Sequence, residues 1–311
     1  MAKRTPAQIR SKAEMARKIA KHHFGKLGKH LEFKPAGKTN YVFDVAVGNK
    51  NYIIRISDNN TKLHDFIKEQ WVVQKVREKG VPVPEILEVG NEIIPHPYML
   101  QEKVNGKEAV DHPNRGEILK ELGGYAKRIH SIGTTGYGHN FDWSKNKLSK
   151  KNTWNDFLEK ELGVDERLAF LKGQNILPKK KIDTLSALLK KICSWKIDPA
   201  LNHCDLRLKN VLVNKQGKIK AIIDWEHCTS NIAPYWDFSI ALHDLSIDNK
   251  QKFLEGYGMD FKEFNRMAYA LTAFNLINYV PALKQIIEAK DSVQLEFYKL
   301  RINGALDLFS L

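Results

Sequence analysis

Between His203 and Glu226 the chain gathers polar side chains of a particular kind. The run His203-Cys-Asp205-Leu-Arg207-Leu-Lys-Asn210 is followed by an apolar stretch that closes on Ile222-Ile-Asp224-Trp-Glu226. Asp205 and Asn210 lie five positions apart, and Asp224 comes fourteen residues after Asn210. A carboxylate that can receive a hydroxyl proton, beside oxygen ligands for a hard divalent cation, is what phosphoryl transfer to an alcohol requires. Asp205 suits the first task and Asn210 with Asp224 the second. Val211-Leu-Val-Asn and Lys218-Ile-Lys-Ala-Ile-Ile flank Lys215-Gln-Gly217, which predicts a tight β-hairpin. A hairpin returns the chain beside its start, so Asp224 should come back next to Asn210. The competing view is a turn and a hairpin with ordinary solvated carboxylates, and it requires several coincidences.

These residues resemble the signature of the aminoglycoside phosphotransferase and choline kinase family, which shares the protein-kinase fold. That signature is His-x-Asp, four residues, Asn, then an apolar strand ending in Asp. The resemblance implies an α+β, protein-kinase-like bilobal fold. It has a small antiparallel β-sheet N-lobe with one key helix, and a larger, mostly helical C-lobe that carries the catalytic hairpin. Residues 1–100 would form the nucleotide-binding lobe with a basic N-terminal helix, 101–106 the hinge, and 107–311 the catalytic and acceptor-binding lobe. The implied activity is transfer of the γ-phosphate of ATP, or GTP, with Mg²⁺ to a hydroxyl of a small acceptor, aminoglycoside-like or a choline-like amino alcohol.

The resemblance assigns roles residue by residue. Asp205 is the base, and Asn210 and Asp224 hold Mg²⁺, with Glu226 reaching a second metal or its water shell. Arg207 takes the position of a γ-phosphate lysine, although a surface salt bridge would look the same. His203 braces the loop rather than acting as base, and Asp237 accepts hydrogen bonds from the loop backbone. Gly37, Thr39 and Asn40 fall on the loop over the phosphates. Arg55 replaces the lysine that grips the α- and β-phosphates, and can fork onto a carboxylate as well. The carboxylate should be Glu69. The Glu102 carbonyl and the Val104 amide would meet the base. One departure is Cys204, where most phosphotransferase relatives have Gly.

The elements that must carry these residues are legible in the pattern. Ile9, Ala13, Ala16 and Ile19 mark a basic amphipathic helix from Pro6 to about Lys29. Its Ala-rich face suits packing on the nucleotide lobe better than a membrane. Tyr41–Val47 and Tyr52–Ile56 read as strands across a turn at Gly48, with Arg55 on the face opposite Tyr52, Ile54 and Ile56. A helix over about Lys62 to Lys79 carries Glu69, and Tyr98–Val104 is a further strand. Downstream, helices are predicted ending near Ile132, opening at Thr153, and spanning Ile182 to Ile192. Another enters at Pro234, one runs from Phe261 to Val280 until Pro281 breaks it, and a last covers about Val293 to Phe309.

The 311 residues suffice for two domains or one bilobal one, and 42% hydrophobic with 28% charged residues is a globular composition. No apolar run is long enough to span a membrane and no signal peptide is evident. Three cysteines without framework spacing suggest a reducing cytoplasm. The adjacent pairs His203-Cys204 and His227-Cys228 fit zinc spacing poorly. The net charge of +14 is uneven: residues 1–38 hold eleven Lys or Arg against two Glu, whereas 232–311 hold eight against ten acids. That acidic C-terminal part, with Asp260, Glu263, Asp291, Glu296 and Asp307 beside Trp236, Tyr257, Tyr269 and Tyr279, would suit a cationic acceptor. Two other functions stay open: a catalytically silent kinase-like nucleotide-binding module, and a basic nucleic-acid-binding protein, though no aromatic-basic interleaving supports the latter.

Overall fold

The computed structural model of the chain describes residues 4–26, 30–35, 39–139, 153–243 and 245–308. In chain order the first elements are α1 (Pro6–Phe24), β1 (His30–Lys34), β2 (Tyr41–Val47), β3 (Lys50–Ile56), α2 (Lys62–Glu78), β4 (Ile86–Gly90), β5 (Tyr98–Glu102) and β6 (Lys107–Glu108). Next come α3 (Arg115–His130), α4 (Trp154–Asp156), α5 (Val164–Gly173), α6 (Lys179–Cys193), β7 (Ala200–Asn202), β8 (Val211–Val213) and β9 (Ile219–Ile222). Then follow β10 (Thr229–Asn231), α7 (Tyr235–Ala241), α8 (Ile247–Tyr257), α9 (Phe261–Glu288) and α10 (Ser292–Leu308). The chain divides into two compact units, residues 1–112 with 208–226, and residues 113–207 with 227–311.

The first unit is built on an antiparallel sheet in the order β1-β2-β3-β5-β4. Alternation along β3 buries Tyr52, Ile54 and Ile56 against Ala16, Ile19 and Ala20 of α1, so the basic helix spends its apolar stripe on the sheet. Thr5 caps α1 in a reciprocal box with Gln8, and Gly25, at φ +67°, ends it short of Lys29. The opposite face of β3 carries Arg55, whose guanidinium lies 5.2 Å from the Phe66 ring of α2.

The hairpin forms as predicted, with Val211 opposite Ile222. Its turn is held by the Asn214 carboxamide, which accepts from the Gln216 and Lys218 amides, and Gly217 takes φ +82°. It groups with the first unit, unlike the expected 107–311 lobe. Local bonds account for this: β6 pairs with β8, Ala109 N–H donates to Val211 O at 3.0 Å, and Ile222 N–H donates to Pro82 O at 2.8 Å.

The second unit is mostly helical, with the short β7–β10 pair inside it. Its core joins Trp154, Phe157, Leu185, Leu189, Trp236 and Phe274 with the apolar side of α9. Thr153 opens α4 through a capping box with Asp156. One expectation is overturned here: Pro281 lies inside α9, which runs unbroken from Phe261 to Glu288. A proline removes the donor that would bond the carbonyl four residues back. That carbonyl belongs to Ile277, and it accepts from Arg167 Nη1 at 3.0 Å instead. Among the described residues no helix is long and apolar enough to cross a membrane.

Candidate active site

In the first unit, β3 and α2 present a forked ion pair. Arg55 Nη1 donates to Glu69 Oε2 at 2.8 Å and Nη2 to Oε1 at 3.3 Å, with the Glu69 side chain only 4% exposed. Burial alone would lower the Arg55 guanidinium, yet Glu69 first, then Glu226 and Asp224, hold it above the ordinary arginine value. Burial pushes the Glu69 carboxyl up, against the pull of Arg55. The pair therefore draws its strength from geometry in a desolvated setting, where losing either member would strand the other.

The end of the hairpin meets this pair. The Glu226 carboxylate stands 3.8 Å from Arg55 Nη2 and 3.1 Å from Lys62 Nζ, and its backbone carbonyl accepts from Lys68 at 3.1 Å. Ile223 N–H donates to Asn210 O at 2.9 Å across the hairpin, which sets Asn210 opposite the residue preceding Asp224. Asn210 is buried and Asp224 exposed, the latter in the left-handed region at φ +68°. Aspartate tolerates that conformation better than most side chains. Trp225, buried, donates its indole N–H to Ile222 O at 3.0 Å and anchors the turn.

The remaining first-unit positions are more dispersed. Asn40 is buried, and its Oδ1 has no hydrogen-bond partner, while Thr39 is exposed. Gly37 lies outside the described residues. Glu102 closes β5 and gives its N–H to Glu85 O at 2.8 Å, and Val104 follows half-buried. Between them, Lys103 pairs with the buried Asp44 of β2.

In the second unit the loop from His203 to Arg207 is organised around Asp237. This fully buried carboxylate accepts the His203 amide at 2.8 Å, the Cys204 amide at 2.6 Å and His130 Nε2 at 2.9 Å. Burial would raise the Asp237 carboxyl; the His130 hydrogen bond first, then the charges of His130 and His203, bring it below the usual aspartate range. Asp205 N–H donates to His203 Nδ1 at 3.2 Å, which ties Asp205 to the buried histidine of the same loop. Arg207 Nε donates to the Asp205 carboxylate, and its N–H meets Asp205 O at 2.8 Å. Cys204 sits at φ +67°, which explains physically why a glycine would suit that place.

Sequence reasoning missed Lys62, Lys68 and His130. Lys62 and Glu69, seven apart on α2, share one helix face, a signal that was available. His130 reaches Asp237 across 107 residues of sequence, and no local pattern announces it. Three of the five acids expected to wall the C-terminal helices have local partners, and the side chain of Asp307 lies outside the described residues. Asp260 and Asp291 cap α9 and α10 by accepting from Glu263 and Gln294, and Glu296 pairs with Lys299. Trp236 stacks in the core, Tyr257 bonds His130, and Tyr269 packs on Trp195. Of the four aromatic candidates, Tyr279 lines a cavity of the second unit.

Comparison with known proteins agrees with this anatomy. The model of the phosphotransferase enzyme family matches residues 30–271. Hygromycin-B 4-O-kinase of Escherichia coli is 22% identical over 209 residues, covering 64% of this chain and 58% of that kinase, little more than half its length. A thermostable mutant of aminoglycoside phosphotransferase APH(4)-Ia, in ternary complex with AMP-PNP and hygromycin B, superposes with a TM-score of 0.67 at 17% identity, over 94% of this chain and 97% of that one. The GDP and kanamycin complex of APH(2")-IIia gives 0.63 at 14%, over 96% and 97%. Such likenesses carry the fold, a kinase-like α+β architecture, and the family match carries the rest: the chain belongs to the phosphotransferase enzyme family.

Proposed function

We propose that the protein transfers the γ-phosphoryl group of ATP, or GTP, to a hydroxyl of a small acceptor, with Mg²⁺ as the metal. Aminoglycoside-like acceptors come first and amino alcohols second. The observation that carries this reading is the bond from Ile223 N–H to Asn210 O at 2.9 Å. It brings the backbone of Asn210 beside the residue before Asp224 at the end of one hairpin, in the motif whose Asp205 lies five residues upstream, and so supports a shared role for the two. The phosphotransferase family match and relatives bound to AMP-PNP or GDP support the choice of donor.

Asn210 and Asp224 are hard oxygen donors, as Mg²⁺ prefers, and two protein ligands are enough when phosphate oxygens complete the shell. Bound there, the metal would offset the negative charge of the nucleotide phosphates. Arg55, held by Glu69, meets the α- and β-phosphates, and Glu226, tied to Arg55 and Lys62, acts on the outer shell of the metal. Thr39, Asn40 and Gly37 cover the phosphates, while the Glu102 carbonyl and Val104 amide receive the base. Asp205 orients the acceptor hydroxyl and takes its proton. In a loose transition state that proton leaves late, so orientation matters more than basicity. Arg207, on Asp205, stabilises charge on the transferred group. His203 and Asp237 support the loop. The test is phosphate transfer by Asp205→Asn beside the unaltered protein. A drop of about 10²-fold or more is expected for loss of a general base, and unchanged turnover would refute the assignment.

A further inference from the structure

Within the second unit, Arg207, Ile240, His243, Asn275, Asn278 and Tyr279 enclose a cavity of about 230 Å³. Its wall holds polar atoms that the protein leaves unpaired. Asn275 is 7% exposed, and its Nδ2 donates to Ser239 O at 2.6 Å. Because a carbonyl oxygen can only accept, that bond fixes the amide orientation, and Oδ1 is the atom left buried without a partner. Asn278, three residues on and on the same face of α9, has its Nδ2 buried without a partner. One acceptor and one donor thus wait on one wall. A hydroxyl, which donates and accepts, satisfies both; an ammonium, which only donates, satisfies one and strands the other.

The charges point the same way. Arg207 lines the cavity, and Arg301 donates through Nε to His243 Nε2 at 3.2 Å. His243 is thereby an acceptor at Nε2, and burial first, then Arg301 and Lys250, lower its pKa to about 4, so the ring is neutral. The Arg301 guanidinium also lies 5.5 Å from the Tyr279 ring centre, taking up the cation-binding capacity of that aromatic. Among the described lining residues there is no Asp or Glu, and the Asp205 carboxylate is engaged by Arg207. A cationic acceptor group entering here would meet the Arg207 guanidinium, with that of Arg301 behind His243, and no acidic side chain among the described lining residues.

We infer that this cavity seats an uncharged, hydroxyl-bearing part of the acceptor, and that the protein prefers neutral sugar-like or polyol acceptors to polycations. The inference rests on the kinase reading and revises its order of acceptors, placing neutral hydroxyl compounds ahead of the cationic aminoglycosides and amino alcohols. It is tested with the full chain and Mg²⁺-ATP by measuring phosphate transfer and ligand-induced thermal stabilisation. The neutral probes are myo-inositol and methyl glucoside, and the cationic ones kanamycin and choline. The neutral probes should give kcat/KM at least tenfold above the cationic ones. Asn278→Asp, which adds a carboxylate to the wall, should narrow or reverse that ratio. Arg301→Gln, at a half-buried position less exposed to folding failure, should shift it in the same direction. A cationic probe preferred by the unaltered protein overturns the inference, as does a ratio that neither variant moves. Stabilisation by Mg²⁺-ATP without transfer to, or stabilisation by, the neutral probes also overturns it while sparing the kinase reading. Absence of any Mg²⁺-ATP stabilisation is the separate result that would remove the proposed function itself.

Discussion

Asp237→Asn isolates the contact on which the His203–Arg207 loop depends. The carboxylate, fully buried like His203, accepts from the His203 amide, the Cys204 amide and His130. Asparagine is nearly isosteric but replaces one acceptor oxygen by a donor. His130 can adapt, since a neutral imidazole can accept through Nε2. The two backbone amides cannot: one keeps the Oδ1 acceptor, and the other faces an NH₂ group. The loss is therefore one charge-assisted hydrogen bond and one amide left buried without a partner, together about 2–4 kcal/mol. At about 2–4 °C per kcal/mol, a loss near about 3 kcal/mol lowers the thermal midpoint by about 6–12 °C. Calorimetry on the variant checks the number, and transfer rates measured well below its midpoint check whether the loosened turn also misplaces Asp205. A midpoint within about 2 °C of the unaltered protein would refute the idea that Asp237 carries the loop.

Other changes should be as readable. Glu69→Gln leaves the buried Arg55 with a neutral partner, so about 1–3 kcal/mol of stability should be lost, with a raised KM for nucleotide in steady-state assays. Cys204→Gly removes the strain of an L-residue at φ +67°, about 1–2 kcal/mol, against about 0.4–1 kcal/mol of extra unfolded-state entropy. A small net gain in urea unfolding is expected, whereas a loss above about 1 kcal/mol would contradict it. His243, folded near 4 against an ordinary 6.5, favours the folded state least where only the unfolded chain takes up the proton. Stability should be fully present above pH 6.5 and fall as the pH drops toward 4, by about 1–2 kcal/mol after allowance for partial exposure. That slope should disappear in His243→Asn when unfolding is followed against pH. Chelation of divalent metal should abolish transfer, and Mg²⁺ should restore it.

Much of this anatomy was readable in the residues because the signals were local. β2 and β3 alternate, Thr153 and Asp156 form a capping box, and Asn214 with Gly217 supply turn chemistry, each within a few positions. The hairpin's return of Asp224 toward Asn210 follows from the same short-range logic. Legibility ended where a distant group changed the local rule. Pro281 should end a helix, yet α9 runs through it, and the carbonyl that the proline strands is taken by Arg167 from a distant part of the chain. Asp260, Asp291 and Glu296 looked like the wall of a cation site, but each answers to a neighbour three residues away. Asn275 and Asn278 look like unremarkable helix residues. They matter only because α9 turns them toward a cavity whose other side is Arg207.

The two non-glycine residues in left-handed conformation nearest the motif, Cys204 and Asp224, sit beside the proposed base and at the proposed metal ligand. Such a conformation disfavours an L-residue and persists only where the surroundings over-determine it. At Cys204 the surroundings are the Asp237 carboxylate, bonded to the His203 and Cys204 amides just before the Cys204 Cα and braced by His130, with the Asp205 amide just after it held by His203 Nδ1. At Asp224 they are the Ile223–Asn210 bond just before it and the buried Trp225 just after it. Each strained residue is thus clamped by its immediate flanks, in its own unit and by its own partners. This is how a chain fixes a carboxylate's direction when the side chain itself must stay available. It also separates the consequences of mutation. Loosening the Asp237 clamp should disturb the acceptor end of the reaction, and loosening the Trp225 clamp the metal end. Trp225→Phe, which keeps an aromatic ring but loses the indole donor to Ile222, should therefore raise the Mg²⁺ concentration needed for half-maximal transfer while leaving acceptor KM near its original value. Equal shifts in both would mean that the two clamps are not independent.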